Sequence, residues 1–186
     1  MKCIPNPALC LFIFSICVSL DSLSQNQAYR QNTNVTQANR NPALSQHFKV
    51  PDPVGFVNDF ENLFTEAEIK TLDSTIIAIH NKTSVQIAII TIDSNMVNKT
   101  LLEDFVKETF KAWGLQVNGH FNGILIGLSN AYKKLSIENG TGVEQVLNDY
   151  EIQGIEKTFI PYLKEDKYYP GTISGLTAIM NKLQVK

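Results

Sequence analysis

Apolar residues change their period along this chain, and each change marks an element. Ile69, Leu72, Ile76 and Ile79 recur at helical spacing through about His80. Ahead of them Thr65-Glu66-Ala67-Glu68 has the form of a capping box, with Phe64 and Ile69 placed as a hydrophobic staple. Val85 to Ile92 is β-branched and apolar at nearly every position, the pattern of a strand buried on both faces. A second helical stripe follows in Leu102, Phe105, Val106, Phe110 and Trp113. Thr100 and Glu103 are spaced as another capping box, and Gly114 is placed as a C-terminal stop.

Gly123 to Ser129 reads as a second buried strand and Lys134 to Glu138 as a shorter third. Their short connection predicts an antiparallel hairpin. Val143 to Tyr150 and Ile152 to about Leu163 then read as helices, the latter carrying Ile152, Ile155, Phe159 and Leu163 on one face. Pro170-Gly171 is expected to break the chain before a last helix with Ile173, Leu176, Ile179, Met180 and Leu183. This order, helix, strand, helix, strand, strand, helices, predicts an α/β fold: a three-layer α/β/α sandwich with a central mixed sheet.

The first segment follows different rules. Lys2 gives a positive start, Ala8 to Leu20 form an apolar run interrupted by serine, and Ser22-Leu23-Ser24 offers small residues to a signal peptidase. Residues 1–24 are therefore expected to be a signal peptide, cleaved before Gln25, and the protein to be exported, periplasmic or secreted. All three cysteines, Cys3, Cys10 and Cys17, lie inside it, so the mature chain is expected to have neither disulfide nor thiol chemistry. Residues 25–53 are rich in Asn and Gln and poor in large apolar side chains, as a solvated tether would be, and Pro51-Asp52-Pro53 closes them stiffly. The globular domain is expected at residues 54–186. No later apolar run is long enough to span a bilayer, so the mature chain is expected to have no transmembrane segment.

Composition narrows the function classes. The chain has 186 residues, 44% of them hydrophobic and 18% charged, which excludes collagen-like, coiled-coil and wholly disordered architectures. A net charge of -2 gives no electrostatic case for nucleic acid as a partner. No Cys/His spacing matches a zinc cluster, and no Gly-X-Ser-X-Gly elbow supports a serine nucleophile.

Chemistry is expected where the two hairpin strands bring loops together. The start of one lies beside the end of the other, so Asn118-Gly119-His120-Phe121-Asn122-Gly123 should meet Glu138-Asn139-Gly140-Thr141-Gly142 at one sheet edge. Asn and Glu oxygens suit a hard divalent cation, Ca2+ or Mg2+, and Glu144 and Asp149 follow close behind. On a regular helix those two are about 140° apart, so they cannot both face one ion. Gly140, Thr141, Gly142 and Val143 would lead into a helix start, where free amides favour a phosphate. Asp59 stands outside the first helix as a further oxygen ligand. Tyr162, Tyr168 and Tyr169, near Lys164 and Lys167, would form a binding lip.

Val57-Asn58-Asp59, the Val85–Ile92 strand, Trp113-Gly114, Asn122-Gly123-Ile124-Leu125, Ile137 to Glu144 and Leu147-Asn148-Asp149 together resemble the TPM domain family. That family includes a thylakoid-lumen acid phosphatase linked to photosystem II repair and many exported bacterial proteins. The resemblance spans about Val54 to Leu183 and implies an α/β/α sandwich, a divalent-cation site and, for some members, phosphatase activity. Carried over, Asp59 matches the aspartate of the opening motif, Asn122 the asparagine of an Asp-Asn-Gly loop, and Asp149 the acid that closes the Gly-X-Gly-X-Glu segment. Phe121 stands where that loop usually carries aspartate, which removes a ligand charge. Two functions follow as expectations. One is a cation site formed by Asp59, Asn122, Glu138, Glu144 and Asp149, acting on a phosphate ester held at residues 140–143. The other is a non-enzymatic module that binds an envelope protein, with the metal structural or absent. Either way the protein is expected to be a monomer.

Overall fold

The structure is a computed structural model that describes residues 48–115 and 122–184. Its centre is a four-stranded sheet of β1 (Val57–Asp59), β2 (Gln86–Thr91), β3 (Gly123–Ser129) and β4 (Lys134–Asn139), ordered β1-β2-β3-β4. The first three are parallel and β4 is antiparallel to β3, so the sheet is mixed as the sequence predicts. Strand β1 was not apparent in the pattern. It has three residues, and two of them, Asn58 and Asp59, are polar.

Helix α1 (Glu66–Thr83) begins at the expected capping box. The Thr65 hydroxyl accepts from the Glu68 amide, and the Glu68 carboxylate accepts from the Thr65 amide at 2.8 Å. Helix α2 (Leu102–Trp113) does not use its supposed box. A 3-10 turn at Lys99–Leu101 leads straight into it, and no side chain caps its start. Gly114 ends it in the left-handed conformation, at φ 56°, where glycine carries no Cβ penalty.

Helices α3 (Asp149–Lys164) and α4 (Tyr168–Gln184) depart from the sequence reading. Residues 141–146 form successive turns rather than a helix starting at Val143. Asn148 then caps α3, its side-chain oxygen accepting from the Tyr150 and Glu151 amides. Pro170-Gly171 does not precede the last helix but sits in its first turn, where the missing proline N–H leaves no bond unmade.

Register sorts the strands into two faces. Ile87, Ile89, Ile124, Ile126, Leu128 and Ile137 share one core with α1, α3 and α4. Ala88, Ile90, Ile92 and Leu125 share the other with Phe105, Val106 and Phe110 of α2. These are the three layers. The connections β1-α1-β2 and β2-α2-β3 step the same way across the sheet yet lay their helices on opposite faces. They are therefore of opposite hand, and one of them is of the uncommon left-handed kind.

The packed body begins ahead of the expected Val54. Phe48 stacks edge-on against Phe105, with ring centroids 5.6 Å apart, and the Trp113 indole N–H donates to the Pro51 carbonyl at 2.8 Å. This part of the supposed tether is a strap across α2. Among the described residues no helix is long and apolar enough to cross a membrane.

Candidate functional site at the amino edge of the sheet

The strands' directions define two ends. At one lie the starts of β2 and β3 and the end of β4; at the other lie the ends of β1, β2 and β3. A six-residue strand separates them, about 20 Å at ~3.3 Å per residue.

The amino edge does join the two glycine-bearing segments. The Gly140 amide donates to the Gly123 carbonyl at 2.9 Å, and the Gln86 amide donates to the Asn122 carbonyl at 3.0 Å. Gly123 is required here by a close approach, since a Cβ on it would stand 2.4 Å from the Leu115 carbonyl oxygen. The Asn139 side chain donates to the Leu147 carbonyl at 2.9 Å and so ties the turns at 141–146 to the end of β4.

Glu138 is the half-buried carboxylate of this edge. Burial pushes its pKa up, the Lys107 and Lys111 ammonium groups of α2 pull it down, and the charge of Asp149 pushes it up again. Asp149 is thus close enough for its charge to be felt. Glu138 lies on the α2 face of β4, opposite Leu125, while Asp149 is the first residue of α3. Asn122, Glu138 and Asp149 therefore gather at one edge, and Glu144 is exposed on the turns nearby. Residues 118–121, including His120 and Phe121, lie outside the described residues, as does His47.

Gly140, Thr141, Gly142 and Val143 are placed differently from the expected anion cradle. The Val143 amide donates to the Gly140 carbonyl at 3.0 Å, closing a turn, and no helix starts there. The first free amides of α3 are taken by Asn148. The macrodipole reason for a phosphate at residues 140–143 is therefore absent.

Asp59 is at the far end of the sheet. One carboxylate oxygen accepts from the Leu63 amide at 3.0 Å and the Thr91 hydroxyl at 2.8 Å, and the other accepts from the Phe64 amide at 2.8 Å. The Thr91 hydroxyl in turn accepts from the Glu61 amide at 2.9 Å. The Glu61 carboxylate accepts from the Asn130 and Ala131 amides of the β3–β4 turn, and burial pushes its pKa up. These groups lock the entry to α1 onto the hairpin. Beside them is a cluster that sequence reasoning missed: Lys133 bonds Asp166, Asn130 and the Tyr168 hydroxyl, and that hydroxyl donates to Asn130 at 2.6 Å. Its sequence signal is weak, since Lys133 takes a positive φ that lysine does not announce, and its partners Asp166 and Tyr168 lie 33 and 35 residues away. Tyr168 is buried in this cluster and forms no lip with Tyr162 and Tyr169. Among the described residues no group of three or more His, Cys, Asp or Glu is placed to hold a metal.

Comparison with known proteins matches residues 57–182 to the model of the TPM domain. The N-terminal domain of a protein from P. gingivalis, solved by NMR, superposes with a TM-score of 0.61 at 26% identity, covering 69% of this chain and 81% of that one. The BA42 protein of the psychrophilic bacterium Bizionia argentinensis gives a TM-score of 0.58 at 18% identity over 67% and 83% of the two chains. The N-terminal domain of cg2496 from Corynebacterium glutamicum gives 0.55 at 14% identity over 68% and 78%; these last two likenesses concern the fold alone. Among curated proteins nothing matches.

Proposed function

The chain belongs to the TPM domain family, and from that premise we propose that it is an exported module that binds a divalent cation, Ca2+ or Mg2+, at the amino edge of its sheet. The ligands are Glu138 and Asp149 with an oxygen of Asn122. The observation that carries this reading is the closeness of two carboxylates at this edge, the charge of Asp149 reaching the half-buried Glu138. Two carboxylates whose charges meet at one edge attract a cation, and neither has a hydrogen bond or ion pair among the described residues. The donor set fits a hard cation because every candidate atom is oxygen. Two carboxylates, with Lys107 and Lys111 near Glu138, make it a weak site. Asp59 is left out of the set, because it stands at the other end of the strands with both oxygens engaged.

Phosphate-ester chemistry is the further part of the proposal. A bound cation supplies charge neutralisation to a phosphoryl oxygen. The chain's own contribution is the pair of ammonium groups, Lys107 and Lys111, which attract an anionic ligand to the same edge. The second reading, a module for an envelope protein, is favoured by Tyr150, which is 81% exposed next to Asp149, with Val146 39% exposed on the turns four residues before it.

Titration with Ca2+ and with Mg2+, followed by amide NMR, tests the cation site. Shifts confined to Asn122, Gly123 and residues 138–149, and lost in Glu138→Gln, support it. Shifts centred on Asp59, or none, overturn it. Hydrolysis of an aryl phosphate that is lost in Asp149→Asn supports catalysis, and its absence leaves the binding module as the preferred function.

A further inference from the structure

The sheet has two open edges, and both are closed by the same device. In β4, Gly140, paired to Gly123, and Glu138, Ser136 and Lys134 direct their backbone groups toward β3, so by alternation Leu135, Ile137 and Asn139 direct theirs outward. The outward Ile137 amide does not face open solvent. It donates to the Glu156 carboxylate of α3 at 3.3 Å. On the opposite edge strand, the Val57 amide of β1 donates to the carboxylate of Asp73 on α1. A helix-borne carboxylate on an edge amide occupies the donor that a foreign strand would need.

We propose that the β4 edge is a pairing site for a second copy of this chain, held shut by Glu156. The self-complementarity of β4 selects the occupant. Antiparallel pairing of two β4 strands with Leu135 opposite Ile137 of the second copy lets those residues exchange both outward hydrogen bonds. It also sets two apolar residues against each other on the face covered by α1, α3 and α4. In that register Lys134 stands opposite Glu138 of the second copy on the α2 face, twice by symmetry, and Ser136 meets Ser136 on the two-fold axis. The neighbouring register, with Ile137 opposite Ile137, sets Leu135 against Asn139 and Lys134 against Gly140 and matches no charge. Asn139 is moreover already bonded to Leu147. β1, with only three residues, offers no comparable ladder. When Glu156 releases Ile137, two four-stranded sheets join into one continuous sheet.

The absence of cysteine after Cys17 makes the register testable by disulfide formation. In the protein lacking residues 1–24, S136C places two thiols across a non-hydrogen-bonded pair, with Cα atoms about 4.5 Å apart, close enough to bridge. Under mild oxidation and in EDTA, so that no cation at Glu138 intervenes, S136C is expected to form covalent dimer faster than S94C, an exposed loop control. S136C/E156A is expected to do so at least tenfold faster than S136C. Adding Leu135→Pro, which removes an outward amide without touching the β3 ladder, is expected to return the rate to that of S94C. Equal rates for S136C and S94C in both backgrounds overturn the proposal, as does crosslinking indifferent to Glu156 or to Leu135→Pro. Should E156A fail to fold, S136C against S94C and the Leu135→Pro arm decide the matter in the unaltered background.

Discussion

Asp59 and Thr91 join the ends of β1 and β2 through a 2.8 Å hydrogen bond between the Thr91 hydroxyl and the Asp59 carboxylate. With the Leu63 and Phe64 amides on the same carboxylate, this pair sets where the chain leaves the sheet for α1.

Asp59→Asn is therefore a stability change. An amide cannot accept at both of its heavy atoms, so at least one backbone N–H loses its partner, at a cost of about 2 kcal/mol for a bond to a charged acceptor. For a chain of this length that lowers Tm by roughly 4–8 °C, measured calorimetrically, with the response to Ca2+ unchanged. A lost cation response in a variant of unaltered Tm would contradict the assignment.

Asp73 gives the fold a pH dependence. Burial raises its pKa to about 6, opposed by the Val57 amide, and its other oxygen has no hydrogen-bond partner. The folded protein thus holds this proton more tightly than the unfolded chain, whose aspartates titrate near 4. Its contribution to stability is present at low pH and is lost as pH rises from about 4 through about 6. Asp73→Asn removes the buried charge while its carbonyl still accepts from Val57. We expect it to stabilise the protein by about 1 kcal/mol at pH 7.5, after discounting for partial exposure, and by little at pH 4. Denaturant titrations at the two pH values measure the difference, and a gain that does not depend on pH would refute the cause given.

Glu138→Gln and Asp149→Asn each remove one of two ligand charges, so each is expected to weaken Ca2+ binding on the order of tenfold. Calorimetric titration reads this. Glu144→Gln, on the exposed turns, is expected to change affinity far less.

Gly175→Ala tests the packing of α4 on α3. A Cβ there would sit 1.8 Å from the ring of Phe159, which is fully buried and has no room to withdraw. Overpacking of this kind costs about 1–3 kcal/mol, visible as an earlier urea midpoint.

What the sequence disclosed follows from how local each signal is. α1 was legible to its cap because Thr65, Glu68 and the stripe from Ile69 to Ile79 agree. β2 and β3 were legible because strands covered on both faces leave unbroken apolar runs. The false helix at residues 143–150 arose because Val143 and Leu147 are buried one helical turn apart. The backbone between them satisfies itself in turns, leaving Asn148 to start α3. The meeting of Gly123 with Gly140 was readable from the hairpin alone. Asp59 was misplaced beside them because its motif names a residue type and not the end of the strand that carries it. The Lys133–Asp166–Tyr168 cluster joins positions too distant in sequence, on backbone too unusual, for any spacing rule to gather.

Trp113 is the sole tryptophan of the chain, and its indole nitrogen is committed to the Pro51 carbonyl. The molecule's intrinsic fluorescence is thus an optical gauge of whether the leading strap is seated. A red-shifted, more quenchable emission with unchanged circular dichroism would signal release of the strap alone, so that a pull on the N-terminal side of the domain could be followed without any added label.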